Sequence, residues 1–490
     1  MSQIADLITR AARQFGSKPC LIEGERVVSF ADFDAATNRF ANALRALGLA
    51  DGERVGVLLP NGIDCLIAYY GLAKAGLVRV SLNSRDTPSD LRFKLAEVGA
   101  SAVLVSEDAP DLGVETTLPP ARLQALLDAA SDDPVIVERN LDEPYRLGFT
   151  GGTTGKPKAV TLTERGELAE LSAFLTDLVP DISDADSFLH AAPIAHASGA
   201  FFLPALTRGA TSLVMEKFDA ADFVTLAAST SATMTFLVPT MLALLLEEPG
   251  LDDAELALRR IAYGASPIAP ALYARAEQCF GPIFVQTYGQ AESPMVITCL
   301  KPDEHDRVGS CGRPFTIAQV AVMDDDDTLL PAGAAGEIVV KGPQLMARYW
   351  NRPDATAEAF RGGWLHTGDI GRMDEDGFFY LLDRKGDMLI SGGYNVYPRE
   401  VEDVLLAFPG VVEAAVIGLP DEKWGDRVHA VVSGQNIDTA ALLAHARSAL
   451  AGYKAPKSVN VWTALPKSPA NKILRREVKR RVLEGQEVAA

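Results

Sequence analysis

Apolar positions along the first hundred residues recur with two alternating periods. Ile4, Leu7, Ile8 and Ala11 fall three or four apart among polar neighbours, which predicts an amphipathic helix near the amino terminus. Ser29-Phe30-Ala31-Asp32 reads as a capping box, a hydroxyl followed three residues later by a carboxylate. It opens a second helix whose Phe33, Ala36, Phe40, Ala43, Leu44 and Leu47 share one face before Gly48 ends it. Uninterrupted apolar runs then predict strands at 54–59, 78–82 and 102–105, with helices at 63–75 and 91–98 between them. Strands that are apolar on both faces and separated by helices are what a mostly parallel, fully covered sheet requires. The same alternation resumes with strands at 233–238 and 284–288.

After residue 300 the pattern shortens to strands punctuated by Gly and Pro, such as 336–342, and predicts antiparallel hairpins. The run Asp324 to Asp327 reads as a solvated turn between two of them. A polar stretch, Asp383-Arg384-Lys385-Gly386-Asp387, separates a large body at 1–384 from a smaller segment at 385–490, which has its own strands at 414–417 and 428–432.

Composition narrows the class. With 48% hydrophobic and 23% charged residues among 490, the chain can bury a sizeable core. Its 46 Lys and Arg against 65 Asp and Glu give a formal net charge of -19, the wrong sign for a general nucleic-acid binder. No apolar run approaches the roughly 20 residues needed to span a bilayer, and the first helix lacks the continuous apolar segment of a signal peptide. The five cysteines, Cys20, Cys65, Cys279, Cys299 and Cys311, are scattered and include no CxxC pair. That favours buried thiols in a reducing cytoplasm over a disulfide framework or a zinc site.

The densest chemistry lies in Thr150-Gly151-Gly152-Thr153-Thr154-Gly155-Lys156-Pro157-Lys158. Glycines let a backbone approach a polyphosphate, hydroxyls and amides donate to its oxygens, and lysines offset its charge. A Walker A loop is excluded because its lysine must be followed by Ser or Thr, and Lys156 is followed by Pro157.

With this loop in view, the sequence resembles the adenylate-forming acyl-CoA and aryl-CoA synthetases, relatives of the luciferases and of peptide-synthetase adenylation domains. The resemblance runs nearly the length of the chain. Segments similar to the family's motifs follow in the family's order: Tyr288-Gly289-Gln290-Ala291-Glu292, Gly336-Glu337-Ile338, Thr367-Gly368-Asp369, Asp383-Arg384, Ser391 to Pro398, and Asn471-Lys472-Ile473.

The resemblance implies an α/β fold: a large amino-terminal AMP-binding domain of mostly parallel sheets with a small barrel-like β part, and a small mobile α+β lid. It implies the reaction of a carboxylic acid, ATP and coenzyme A to acyl-CoA, AMP and diphosphate through an acyl-adenylate, with Mg²⁺. Thr150, Gly151, Gly152, Thr153, Thr154, Gly155 and Lys158 would then cradle the phosphates. Glu292 would associate with Mg²⁺, Asp369 and Arg384 would hold the ribose, and Tyr288, Gly289 and the turn Gly264-Ala265-Ser266 would flank adenine. Lys472 matches the catalytic lysine that bridges the attacking carboxylate and the α-phosphate. His196 matches a residue between the nucleotide and acyl sites, and Gly392 and Gly393 match the wall of the pantetheine tunnel.

Four positions depart from the family pattern. Gly151 and Ala291 each replace a hydroxyl residue, Gly386 replaces the usual Asp or Lys of the hinge, and Asn471 replaces the glycine before the lysine. These departures leave open a stand-alone adenylating enzyme that loads a carrier protein or serves another nucleophile. An inactive ATP-binding sensor is the reading from another class, and retention of Lys472, Glu292 and Asp369 argues against it. Residues similar to the acyl-pocket lining, His196, Ala197, Ser198, Leu237, Tyr263, Gly264, Gln290, Ser293 and Met295, carry no carboxylate, lysine or arginine. Apart from His196 these residues are neutral and many are small, which predicts an aromatic or medium-chain monocarboxylic acid, since a second carboxylate would be buried without a cation. The sequence leaves the oligomeric state, a homodimer included, undetermined.

Overall fold

A computed structural model describes residues 2–150, 157–391, 393–421, 424–467 and 473–485. Its contacts gather into two compact units, the first built from Met1–Thr150, Pro157–Val320 and Val340–Leu365, the second chiefly from Ala321–Val339 and His366–Ala490.

In the first unit the amphipathic patterns become the expected helices. Gln3–Phe15 is capped by Ser2 and buries Ile4, Ala5, Ile8 and Ala11. Phe30–Ala46 is capped by the Ser29 hydroxyl, which accepts from the Asp32 N–H and donates to the Asp32 carboxylate at 2.6 Å. Asp is one methylene shorter than the Glu of a full capping box, so it meets the Ser29 side chain instead of the backbone. The helix Pro88–Val98 begins earlier than its apolar positions suggest, because Thr87 caps it and Pro88 starts it while Leu91 is its first buried side chain.

Two sheets carry this unit. The larger has nine strands, and its six central members are parallel: Phe284–Gln290, Arg260–Gly264, Met234–Leu237, Ser187–His190, Thr211–Val214 and Pro19–Glu23. Parallel pairing aligns their carboxyl ends along one edge, the edge where open α/β sheets bind ligands. Leu237, Gly264 and Tyr288 all stand at that edge, and His196 follows the carboxyl end of Ser187–His190. A core including the stacked rings of Phe188 and Phe201, 4.7 Å apart, packs on this sheet. The second sheet has seven strands and includes the antiparallel pair Pro144–Phe149 and Ala159–Thr163, which flanks the glycine- and threonine-rich loop.

In the second unit short strands after residue 300 form a four-stranded sheet ending in Leu365–Met373 and Phe379–Arg384. A five-stranded sheet follows, covered by Pro398–Leu406 and Thr439–Ala449. Its central ribbon, Val411–Asp421 against Gly425–Gly434, outruns the apolar segments seen in the sequence because backbone pairing continues from Val411 opposite Gly434 to Asp421 opposite Gly425. Burial pushes the thiols of Cys20, Cys65 and Cys299 up, that of Cys65 to about 12, so they stay protonated and pack as small hydrophobes. Among the described residues no helix is long and apolar enough to cross a membrane.

Candidate active site

The glycine- and threonine-rich loop is closed at its root by a reciprocal pair. The Thr150 N–H donates to the Lys158 carbonyl at 3.0 Å, and the Lys158 N–H donates to the Thr150 hydroxyl at 3.1 Å. Gly151, Gly152, Thr153, Thr154 and Gly155 lie outside the described residues. The Lys158 ammonium stands 4.1 Å from the centroid of the Tyr349 ring, a cation–π contact that holds the long side chain to one place.

Phe284–Gln290 turns through Ala291 and Glu292 into Ser293–Leu300, with Gln290 paired to Ser293. Glu292 therefore sits at the tip of a tight reversal, half-buried, four residues after the buried Tyr288. The Tyr349 hydroxyl donates to Glu292 Oε1 at 2.6 Å, and the Met346 N–H donates to the Glu292 carbonyl at 2.8 Å. A Cβ added to Gly264 would lie 2.4 Å from the Thr287 carbonyl oxygen, so only glycine allows these two strand ends to approach so closely. Ala265 and Met295 both have positive φ, 66° and 55°. Such backbone strain outside glycine concentrates where surrounding structure over-determines it, often at ligand sites.

A single carboxylate at the head of a turn suits Mg²⁺, which binds few protein oxygens and completes its octahedron with phosphate and water. Among the described residues there is no group of three or more His, Cys, Asp or Glu able to hold a metal.

The residues aligned with an acyl pocket fall into two groups. Ser198, Ser293, Leu237 and Tyr263 are essentially fully buried. Ser198 Oγ lies 3.0 Å from His190 Nδ1, whose imidazole is pushed down to about 4 by burial and stays neutral. The Ser293 hydroxyl donates to the Val296 carbonyl, and the Tyr263 hydroxyl contacts Gln286 and His305. These polar groups are engaged within the unit. Ala197, Gln290 and Met295 are only half-buried, and His196 is exposed with Nε2 3.2 Å from the Asn83 amide.

The second unit brings Asp369 and Arg384 together. They are direct cross-strand partners, and Arg384 Nε meets Asp369 Oδ1 at 2.6 Å. The turn before Asp369 is anchored from the neighbouring strand: Glu337 accepts from the Gly368 N–H, and the Thr367 hydroxyl donates to the Ile338 carbonyl. Burial alone would raise the Glu337 carboxyl, but His366, the Gly368 N–H and Lys385 together hold it below the usual carboxylate range. The aspartate turn is not merely solvated: Asp325 pairs with Lys385 at 2.7 Å, and Asp327 lies 3.7 Å from His366. Gly393 is exposed with φ +82°, whereas Gly392, Asn471 and Lys472 lie outside the described residues.

A family model described as AMP-binding enzyme matches residues 8–350, and one described as AMP-binding enzyme C-terminal domain matches 400–472. The chain belongs to the AMP-binding enzyme family. A medium/long-chain-fatty-acid–CoA ligase of Mycobacterium tuberculosis is 36% identical, over 98% of this chain and 90% of its own length. A feruloyl-CoA synthase of an Amycolatopsis species is 37% identical, over 96% of this chain and 97% of its own. Among solved structures, the o-succinylbenzoate CoA synthetase of Bacillus subtilis with its acyl-adenylate intermediate superposes with a TM-score of 0.90 at 31% identity, covering 96% of this chain and 97% of that one. Other structures of that synthetase hold AMP, or ATP and a magnesium ion.

Two features of this AMP-binding enzyme escaped the sequence reading. Tyr349 reaches Glu292 from 57 residues away, and only the aromatic pair Tyr349-Trp350 ahead of a proline-led helix could have drawn attention to it. Arg475, three residues after Lys472, forks onto Glu402 with contacts of 2.6 and 2.7 Å. It also reaches Asp387 at 2.9 Å and Asp383 at 3.2 Å, carboxylates on either side of Gly386. In the sequence it is one more basic residue of a basic run.

Proposed function

We propose that this chain is an ATP- and Mg²⁺-dependent acid–CoA ligase acting on an aromatic or medium-chain monocarboxylic acid in the cytoplasm. The observation that carries this reading is similarity along nearly the whole chain to enzymes that join carboxylic acids to coenzyme A.

In the first half-reaction a carboxylate oxygen of the acid attacks the α-phosphorus of ATP, and the bond to pyrophosphate breaks. Two anions must meet in line, so catalysis rests on positioning and positive charge. Lys158 and the loop it closes hold the terminal phosphates, Asp369 and Arg384 hold the ribose, and Lys472 bridges the reacting anions. When bound at Glu292, Mg²⁺ supplies further positive charge against the phosphates. In the second half-reaction the sulfur of coenzyme A attacks the acyl carbonyl, the thiol proton is lost, and the carbonyl–AMP bond breaks. Residues 385–490 act as a lid that turns about Lys385-Gly386-Asp387, withdrawing Lys472 and bringing Gly392 and Gly393 to the thiol's path. No protein cysteine is needed, in keeping with buried thiols at Cys20, Cys65 and Cys299.

With the hydroxyls of Ser198 and Ser293 engaged internally, the acyl site left to His196, Ala197, Gln290 and Met295 carries no carboxylate, lysine or arginine. Steady-state kinetics across substituted benzoates, cinnamates and C6 to C12 fatty acids, with acetate, malonate and amino acids as comparators, should give the highest kcat/KM to an aromatic or medium-chain acid. A second carboxylate or an ammonium group should cost about a hundredfold or more for want of a partner. A maximum for acetate, malonate or an amino acid would contradict the pocket assignment.

A further inference from the structure

We propose that Tyr349 is a positioning residue for the phosphate end of this site, holding the Glu292 carboxylate with its hydroxyl and the Lys158 ammonium with its ring. The proposal rests on the assignment of Glu292 to the magnesium site made above.

The argument starts from the segment that carries the tyrosine. Arg348–Tyr349 pairs antiparallel with Ala159–Thr163, the strand that leaves the phosphate loop, with Tyr349 opposite Val160. The Trp350 N–H donates to the Ala159 carbonyl at 2.8 Å, one residue beyond Lys158. The same segment grips the hairpin around Glu292 at three points. Gln344 Nε2 donates to the Val296 carbonyl at 3.1 Å, the Met346 N–H to the Glu292 carbonyl at 2.8 Å, and the Tyr349 hydroxyl to the Glu292 side chain at 2.6 Å. Residues 344–350 thus join the loop's exit strand to the turn that presents the carboxylate, and Tyr349 is where both charged side chains meet one aromatic group.

The chemistry of that group suits the task. Its ring is 5% exposed. Its hydroxyl lies 2.6 Å from a carboxylate oxygen, which can only accept, so the phenol is the donor. A short O–H···O⁻ bond leaves the carboxylate its charge while fixing its direction. The face of the ring meanwhile attracts the Lys158 ammonium without neutralising it. A neighbouring lysine in ion-pair contact with Glu292 would have consumed the charge that a metal needs. A tyrosine between them keeps a negative and a positive group apart and separately available to a metal and to phosphate oxygens.

Tyr349→Phe removes the hydroxyl and retains the ring, so the fold and the Lys158 contact are kept. Binding of Mn²⁺ to the full-length enzyme, followed by electron paramagnetic resonance in the presence of α,β-methylene-ATP, reads the metal site without turnover. Tyr349→Phe should weaken Mn²⁺ binding about tenfold, the change expected on losing a hydrogen bond to a charged group, with an unchanged melting temperature. Glu292→Gln should weaken it at least as much, and the double variant should be no weaker than Glu292→Gln alone, because Tyr349 acts through that carboxylate. KM for the acid, which a general structural defect would also raise, should hold at the parent value in Tyr349→Phe. Parent-like Mn²⁺ affinity in Tyr349→Phe alongside weak binding in Glu292→Gln would overturn the proposal and leave Glu292 in its role. Parent-like affinity in Glu292→Gln would overturn the assignment of Glu292 and the proposal with it.

Discussion

Replacing Lys472 with Ala should lower acyl-adenylate formation by about a hundred- to a thousandfold, the range found when a preorganised group facing developing charge is removed. Thioester formation from a supplied acyl-adenylate should stay close to the parent rate. The asymmetry follows from where charge is needed: two anions approach each other only in the first half-reaction, whereas the second brings a thiol to a neutral-leaning carbonyl. Acid-dependent exchange of radiolabelled pyrophosphate into ATP reads the first half, and release of AMP from the synthetic adenylate with coenzyme A reads the second. Arg475 gives a useful contrast. It anchors the helix Arg475–Leu483 to Glu402, Asp383 and Asp387, so its loss would disturb the hinge region and both half-reactions together. Equal loss in both halves for Lys472→Ala would therefore remove the lysine from its assigned role.

Gly393→Leu should do the reverse, sparing pyrophosphate exchange and blocking thioester formation. The local geometry defines the control this test requires. Gly393 has φ +82°, and no heavy atom lies within 4 Å of a Cβ added there. Any side chain at this φ pays about 1 kcal/mol or more in backbone strain, but an alanine meets open space. Gly393→Ala should thus report strain alone, with modest effects on both half-reactions. Leucine should add obstruction of the thin channel a pantetheine arm needs, lowering the second half-reaction about a hundredfold or more relative to alanine. Equal failure of exchange in Gly393→Leu would mean that the lid has been damaged rather than the thiol's path blocked.

Local signals in the sequence were enough for much of the fold. The helix Phe30–Ala46 was legible because its cap, its period and its terminating glycine are all written within 20 residues. Boundaries failed where the determining interaction is not apolar: Thr87 and Pro88 start a helix ahead of its buried face, and ladder pairing extends the ribbon through Glu413 and Asp426. Candidate site residues were found by motif, but their partnerships were not. Asp369 and Arg384 are neighbours only through the register of two strands. Ser198 could be named as a small polar residue, yet its engagement by His190 depends on packing of a buried imidazole eight residues earlier. Tyr349 and Arg475 reach partners far away in sequence: the pair Tyr349-Trp350 ahead of a proline-led helix is the one local signal at the first, and Arg475 reads as a surface cation in a basic run.

The most direct test of the central claim is product analysis from one reaction containing the purified enzyme, ATP, Mg²⁺, coenzyme A and the best acid of the panel. Chromatography with mass detection should find AMP, diphosphate and acyl-CoA in equal amounts, with acyl-adenylate accumulating when coenzyme A is withheld. ADP and phosphate as products, or diphosphate and acyl-adenylate that coenzyme A does not convert to acyl-CoA and AMP, would contradict an AMP-forming acid–CoA ligase.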